Sequence, residues 1–196
     1  MSTIAFFDFD GTITSKDSFV EFMKRERGAA YFYAGMLLHL PVLVGMKTGL
    51  LSNQRVKEMV LSFCFRKWTK DKLEQAGHRF AAEVIPSLIR PKAAVEIAKL
   101  KSLGAEVVIV TASPQEWIKP WCDTQGLGCV ASALEYNSDR FTGKLAGKNC
   151  YGEEKVKRIQ QQFDLSQYSK ILAYGDTKGD QPMLQLATHA FFKPFR

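Results

Sequence analysis

Two aspartates stand two residues apart where an apolar run stops, in Phe6-Phe7-Asp8-Phe9-Asp10-Gly11-Thr12. Two carboxylates in one mouth repel each other unless a cation or a shared proton compensates. Mg²⁺ suits that role, because it takes a few oxygen ligands and keeps several waters. A second acid cluster, Gly175-Asp176-Thr177-Lys178-Gly179-Asp180, ends another apolar run, and the hydroxyl pair of Thr111-Ala112-Ser113 ends a third. A lysine at the head of a helix, Lys155 or alternatively Lys148, supplies positive charge. Together these groups can transfer a phosphoryl group. Asp8 would attack phosphorus to form an aspartyl-phosphate. Asp10 would protonate the leaving alkoxide and then deprotonate the hydrolytic water. Mg²⁺, Thr111 and the lysine would stabilise charge on the equatorial oxygens, with Gly11, Thr12, Ala112 and Ser113 supporting the phosphate.

That chemistry requires the three runs to end at one edge. Thr3 to Phe7, Glu106 to Val110 and Lys170 to Tyr174 have the apolar, β-branched character of buried strands. Helical patterns alternate with them: Pro91 to Gly104, a helix opening at Ser113-Pro114, Gly152 to Phe163, and a short one from Pro182 to Leu186. Ser113 is the expected N-cap of the second. Ala190-Phe191-Phe192 can close the sheet, and Asn137-Ser138-Asp139 reads as a hairpin turn between 133–136 and 140–145. The fold class predicted is α/β, a Rossmann-like parallel sheet whose strand ends gather the acids in one crevice.

The stretch 14–86 breaks the alternation. It reads as all-helical, with Asp17 or Ser18 capping a helix that Gly28 ends, then helices from Asn53 to about Phe65 and from Thr69 to about Val84. Residues 1–13 plus 87–196 are then the core, and 14–86 is an inserted cap. The cap carries twelve Lys/Arg and seven Asp/Glu, +5 of the total +7. Such a surface draws anions toward the acidic mouth. Ala29 to Met46 holds no Asp, Glu, Lys or Arg. Three readings stand for it: a membrane span weakened by Gly35, His39, Pro41 and Gly45, a helical pair packed on the core, or an interfacial surface with basic flanks. Asp17 and Arg55 are candidates for contacting substrate.

The composition, 46% apolar and 24% charged over 196 residues, is that of an ordinary globular chain. Cys64, Cys122, Cys129 and Cys150 form no Cys-x-x-Cys pair and read as reduced thiols. With no leader pattern, a cytoplasmic protein is expected, either free or peripheral at the inner face of the membrane through the cap. A non-catalytic nucleic-acid binder is the rival from another class. The aromatics Tyr31, Phe32 and Tyr33 lie among apolar neighbours, so no such partner is expected.

The motifs resemble those of the haloacid dehalogenase superfamily: Asp-x-Asp-x-Thr, Ser/Thr, Lys and Gly-Asp-x-x-x-Asp. They match Asp8-Phe9-Asp10-Gly11-Thr12, Thr111, Lys155 and Gly175 to Asp180 in order, over essentially the whole chain. The insertion is similar to the cap of the phosphoserine phosphatase-like subfamily, of IB type. The resemblance implies a mobile lid and Mg²⁺ held by Asp8, Asp176 and the main-chain carbonyl of Asp10. It also implies an Asp180 that orients metal-bound water or the lysine.

Departures from that subfamily bear on substrate. Asp17 stands where it carries a glutamate for the substrate amine, Thr111-Ala112-Ser113 replaces Ser-Gly-Gly, and Gly179 replaces an asparagine. Lys155 falls about one helical turn after the position expected from Asn149 to Glu153. The apolar cap run looks more like the branch that includes bacterial phosphatidylglycerophosphate phosphatases. The substrate expected is a small phosphate ester, lipid-linked or otherwise, with a soluble phosphoserine-type metabolite as the alternative.

Overall fold

The computed structural model describes residues 2–38 and 52–196. At its centre is β1 (Thr3–Phe7), whose side chains are buried on both faces beyond its first residue. Ala5 and Phe7 point to one side of the sheet, Ile4 and Phe6 to the other. Such two-sided burial is what helices on both faces of a parallel sheet produce.

The helices α1 (Ser18–Arg27), α2 (Ala29–Leu38), α3 (Asn53–Phe65), α4 (Lys70–Glu83) and the single turn α5 (Ile85–Leu88) follow β1. The chain then runs through α6 (Pro91–Ser102), β2 (Glu106–Pro114), α7 (Gln115–Gln125) and β3 (Gly128–Ser132). A hairpin of β4 (Leu134–Asn137) and β5 (Arg140–Leu145) leads to α8 (Glu153–Gln162), β6 (Lys170–Gly175), α9 (Gln181–Leu186) and β7 (His189–Phe192). The main sheet has the order β3-β2-β1-β6-β7, every pair parallel. The C-terminal ends of β1, β2 and β6 therefore lie side by side.

Local signals set the helix ends as expected. Asp17, Ser52 and Thr69 cap α1, α3 and α4 by accepting from Val20, Arg55 and Lys72 N–H groups. Gly28, at φ +85°, ends α1. Of the run Ala29 to Met46, the first part is α2, and the expectation of a second helix bears on 39–46, which lie outside the described residues. Among the described residues no helix is long and apolar enough to cross a membrane.

Two expectations are corrected. The strand read as 106–110 continues through Pro114, so Ser113 does not cap α7; Pro114 occupies that position and makes no side-chain cap. The extension follows β3, which the sequence reading missed because its five residues open on a glycine. Its partners hold the chain extended past Thr111, with a register shift before Pro114.

The inserted helices share a core with the sheet. Phe22 stacks on Trp117 of α7 at 4.2 Å between ring centres and meets Phe80 of α4 edge-on at 5.3 Å. These rings join Phe7 and Phe9 in one buried cluster. The chain enters and leaves the insert through adjacent segments: Ser15 N–H donates to Leu88 O at 2.8 Å, and Arg90 N–H to Ile13 O at 2.8 Å. All four cysteines are free, three of them buried.

Candidate active site

Asp8 follows the last residue of β1, and its amide donates to Tyr174 O of β6 at 2.9 Å. The carboxylate is thereby fixed at the seam of the two central strands. The chain then turns sharply at Gly11 (φ +85°), where an added Cβ would lie 2.8 Å from Asp176 Oδ2. A side chain here would be strained and would press on the Asp176 carboxylate. The turn brings back Thr12, whose hydroxyl faces Asp8 Oδ2 at 2.9 Å and Asp176 Oδ1 at 3.1 Å. It carries one hydrogen for two acceptors, so both carboxylates keep capacity for a cation.

Lys155, in the first turn of α8, is buried and bridges two acids, donating to Asp8 Oδ1 at 2.6 Å and Asp180 Oδ1 at 2.7 Å. Burial alone would lower its pKa, but the two carboxylates outweigh that and hold the ammonium charged. Asp180 Oδ2 accepts from the amides of Asp176 and Thr177 and from the Thr177 hydroxyl. Burial pushes the Asp180 carboxyl up, yet Lys155 and these hydrogen bonds overcome it and hold it below the usual range. Asp8 differs: burial pushes it up to about 7 despite Lys155, with Asp180 and Asp10 adding repulsion.

Asp10 turns its side chain away from that cluster. Oδ1 accepts from Ser18 N–H at 2.6 Å and Oδ2 from the Ser113 hydroxyl at 2.6 Å. Ser113 thus positions a carboxylate instead of capping a helix, and its amide donates to Thr111 Oγ1 at 3.0 Å. Ser18 and Ser113 thus fix the orientation of the Asp10 carboxylate.

Asp8, Asp176 and Asp180 can each aim one oxygen so that all three lie within 4.8 Å of one another. An all-oxygen, carboxylate-rich donor set suits a hard divalent cation. Asp180 gives one oxygen to Lys155 and the other to three donors of the 176–177 turn, whereas Asp8 Oδ2 and Asp176 Oδ1 share the one Thr12 hydrogen, which makes these two the side chains suited to hold the ion. The Arg196 guanidinium also donates to Asp176 Oδ2.

A cavity of about 330 Å³ opens above these groups, between the inserted helices and the sheet edge. Asp8, Asp10, Thr111, Ala112, Ser113, Lys155 and Asp180 line its floor, with Asp17 at the side. Phe19, Val20, Phe32, Met36, Val56 and Val60 form an apolar wall. The structure does not bring Arg55 to it: that side chain is exposed and absent from the lining. Lys148 likewise stays outside, while Lys155 reaches the floor. His78 and His189 are exposed and remote from the lining.

The sequence reading missed Lys57 of α3, which lines the cavity and donates to Ala112 O at 2.8 Å and Asn149 Oδ1 at 3.3 Å. The available signal was its place beside Val56 and one turn before Val60 and Leu61, a lone charge against an apolar stripe. Arg196 was also missed, and no motif pointed to it.

An α/β protein with a carboxylate cluster and a buried lysine at the carboxyl edge of its parallel sheet is the class that this fold and site define. The family model of the haloacid dehalogenase-like hydrolases matches residues 5–185, and the chain belongs to that family. It is an enzyme, a hydrolase of that family. It is similar to the protein CicA of Caulobacter vibrioides, 35% identical over 97% of this chain and 85% of the relative. A Mycobacterium tuberculosis protein named as a probable phosphatase is 28% identical over 96% of this chain and 67% of its own length. In fold the chain is similar to a phosphoserine phosphohydrolase-like protein from Francisella tularensis (TM-score 0.69, 19% identity, 97% of this chain and 86% of that one).

Proposed function

We propose that this enzyme is a Mg²⁺-dependent phosphomonoesterase that works through an aspartyl-phosphate on Asp8 and acts on esters with an apolar, lipid-like alcohol. The observation that carries the chemistry is the pair of bridges at Asp8: Lys155 joins it to Asp180, and Thr12 joins it to Asp176. One oxygen of Asp8 is thereby oriented by a cation while the other faces the place where a metal fits.

In this reading Asp8, Asp176 and the Asp10 carbonyl hold the ion, which when bound neutralises charge on the phosphoryl oxygens. Asp8 Oδ attacks phosphorus in line, breaking the bond to the ester oxygen. Asp10, held by Ser18 and Ser113, gives that oxygen its proton. The same carboxylate then takes a proton from water, which attacks the phosphoryl group and frees Asp8. Lys155, Thr111 and the main-chain N–H groups following Thr111 bind the equatorial oxygens. The helical insert acts as a cap that keeps bulk water from the intermediate.

The apolar wall supports the choice of alcohol, since an unpaired zwitterion would lose hydration against Phe19, Phe32 and Val60 without replacement. The exposed face of α2 supports a peripheral contact with a lipid surface. Tyr33, Leu37 and Leu38 project there, while Lys24 and Arg27 sit over the rings of Tyr33 and Tyr31. A second reading, a soluble phosphoserine-type phosphatase, draws on Asp17 at the cavity side, where a carboxylate can pair with an amine. A panel of phosphomonoesters with and without alkyl tails, run with Mg²⁺ and with chelator, separates the two. Preference for tailed esters and retention on anionic vesicles are expected. Preference for phosphoserine would overturn the lipid reading, and full turnover in chelator would overturn the mechanism.

A further inference from the structure

We propose that Arg196 is a positioning residue of the metal site: it holds one oxygen of Asp176 from outside and so turns the other toward Asp8. The inference rests on the divalent-cation reading above and extends that site to a segment, 193–196, which carries none of its motifs.

Asp176 is deeply buried, yet Lys155 serves Asp8 and Asp180 and not this third acid. Among the described residues the one cation at ion-pair distance from Asp176 is Arg196, whose guanidinium donates to Oδ2. The other oxygen, Oδ1, meets the same Thr12 hydroxyl as Asp8 Oδ2, at 3.1 Å and 2.9 Å. A carboxylate held at both oxygens keeps one orientation, and hydrogen bonds of this kind behind a ligating carboxylate set how it meets a metal. Gly11 leaves the flank of Oδ2 clear, since a Cβ there would lie 2.8 Å from that oxygen.

Packing fixes Arg196 independently of this ion pair. Beyond β7 the chain turns back at Lys193, which has φ +55° and whose amide donates at 2.8 Å to the carbonyl of Gly175, the residue before Asp176. A lysine in the left-handed region is strained and persists only where its surroundings enforce it. Phe195 supplies that enforcement. Its ring lies 5.7 Å from Tyr174 and 6.3 Å from Phe7, centre to centre and tilted by 11° from each. Tyr174 stands two residues before Asp176, and Phe7 directly before Asp8. The ladder of rings therefore registers the guanidinium against both strands that carry the candidate ligands.

Two effects of Arg196 on a bound ion oppose each other. Its charge repels the ion, while its hydrogen bond orients the ligand. The arginine side chain is 49% exposed and that of Asp176 only 4%. Water screens the field of a half-exposed guanidinium, whereas the orientation acts on an oxygen that water hardly reaches. Orientation outweighs repulsion, so loss of Arg196 weakens metal binding instead of tightening it.

The test is calorimetric titration with Mg²⁺, in the absence of substrate, of wild type, Arg196→Met, Arg196→Lys and Phe195→Leu, beside thermal unfolding of the same proteins without metal. Arg196→Met is expected to raise the Kd for Mg²⁺ about tenfold. Arg196→Lys, which keeps a charged donor for the single contact, is expected to recover most of that loss. Phe195→Leu keeps the guanidinium but loosens its anchor, and an intermediate loss is expected.

Unchanged affinity in Arg196→Met with a lower unfolding temperature would make the arginine a structural ion pair only. Tighter binding would make it a competitor of the ion. Either result overturns the inference while leaving the metal site standing. Should Arg196→Met fail to fold, Phe195→Leu carries the test, and wild-type affinity in that variant rejects the inference. Wild type that takes up no Mg²⁺ rejects the cation site itself, and the role of Arg196 with it.

Discussion

The Ser113 hydroxyl lies 2.6 Å from Asp10 Oδ2 and aims a carboxylate that stands two residues beyond Asp8. The contact joins β2 to the turn after β1 and so positions the proposed acid. Ser113→Ala should lower kcat about tenfold with little change in Mg²⁺ affinity, because the serine hydroxyl holds the Asp10 side chain and neither the Asp8 nor the Asp176 carboxylate. Steady-state kinetics beside metal titration by calorimetry checks this; an equal loss of metal affinity would show that Ser113 holds the whole turn.

Asp8→Asn should abolish turnover and leave the fold intact. The amide oxygen can take the place of Oδ1 and accept from Lys155, its NH2 can donate to the Thr12 hydroxyl, which still donates to Asp176, and the uncharged side chain removes repulsion from Asp180 and Asp10. Rapid-quench assays should find no phosphorylated protein, and circular dichroism should match wild type. Residual phosphatase activity would remove Asp8 as nucleophile.

Lys155→Met leaves Asp8 and Asp180 buried without their shared cation. Removing one partner of a buried pair costs about 3–5 kcal/mol. Urea unfolding should show a loss of that size, and Mg²⁺ should recover part of it by supplying charge beside Asp8. A loss below ~1 kcal/mol would mean that the bridge is solvent-screened.

Glu116 of α7 is buried under α4, and burial pushes its carboxyl up to about 7 although Leu134 N–H donates to Oε1. Its folded pKa lies above its unfolded one of 4.5, so its stabilising contribution is complete below pH 4.5 and lost as pH rises through 7. Glu116→Gln should remove this dependence and make the protein more stable at pH 8 by about 1–3 kcal/mol. The Gln amide can also donate toward Tyr136 Oη, which is buried without a partner. Chemical denaturation at pH 5 and pH 8 reads the difference; identical pH slopes in both proteins would contradict it.

Gly77→Ala should destabilise the protein by about 1–3 kcal/mol, since the added methyl would lie 1.9 Å from the Glu116 carbonyl. The obstacle is backbone and cannot rotate aside. Thermal unfolding measures the cost.

Most of the site was legible because its members are pinned by short-range rules. Asp8, Thr111 and Asp176 end apolar runs, and in a parallel sheet such ends meet. Lys155 follows a glycine turn into a helix. Lys57 was not legible, since its role depends on how α3 lies across the floor, and helical periodicity fixes a face without fixing what it faces. Arg55, on the same helix, had the right charge and the wrong face. Ser113 obeyed the composition of a helix cap, but its chain stayed extended because β3 pairs there, a long-range contact that local propensity cannot register.

The contact between Gly77 and Glu116 bears on how the cavity can open. Backbone meets backbone there, with Leu73, Ala76 and Phe80 seated around it in the shared core. That corner behaves as a weld, so the insert cannot swing away as one rigid shutter. The less constrained corner is the opposite one, where Gly28 alone joins α1 to α2 and an apolar wall faces the floor. The enzyme would then admit its ester by flexing one edge of its roof while the opposite edge remains part of the foundation.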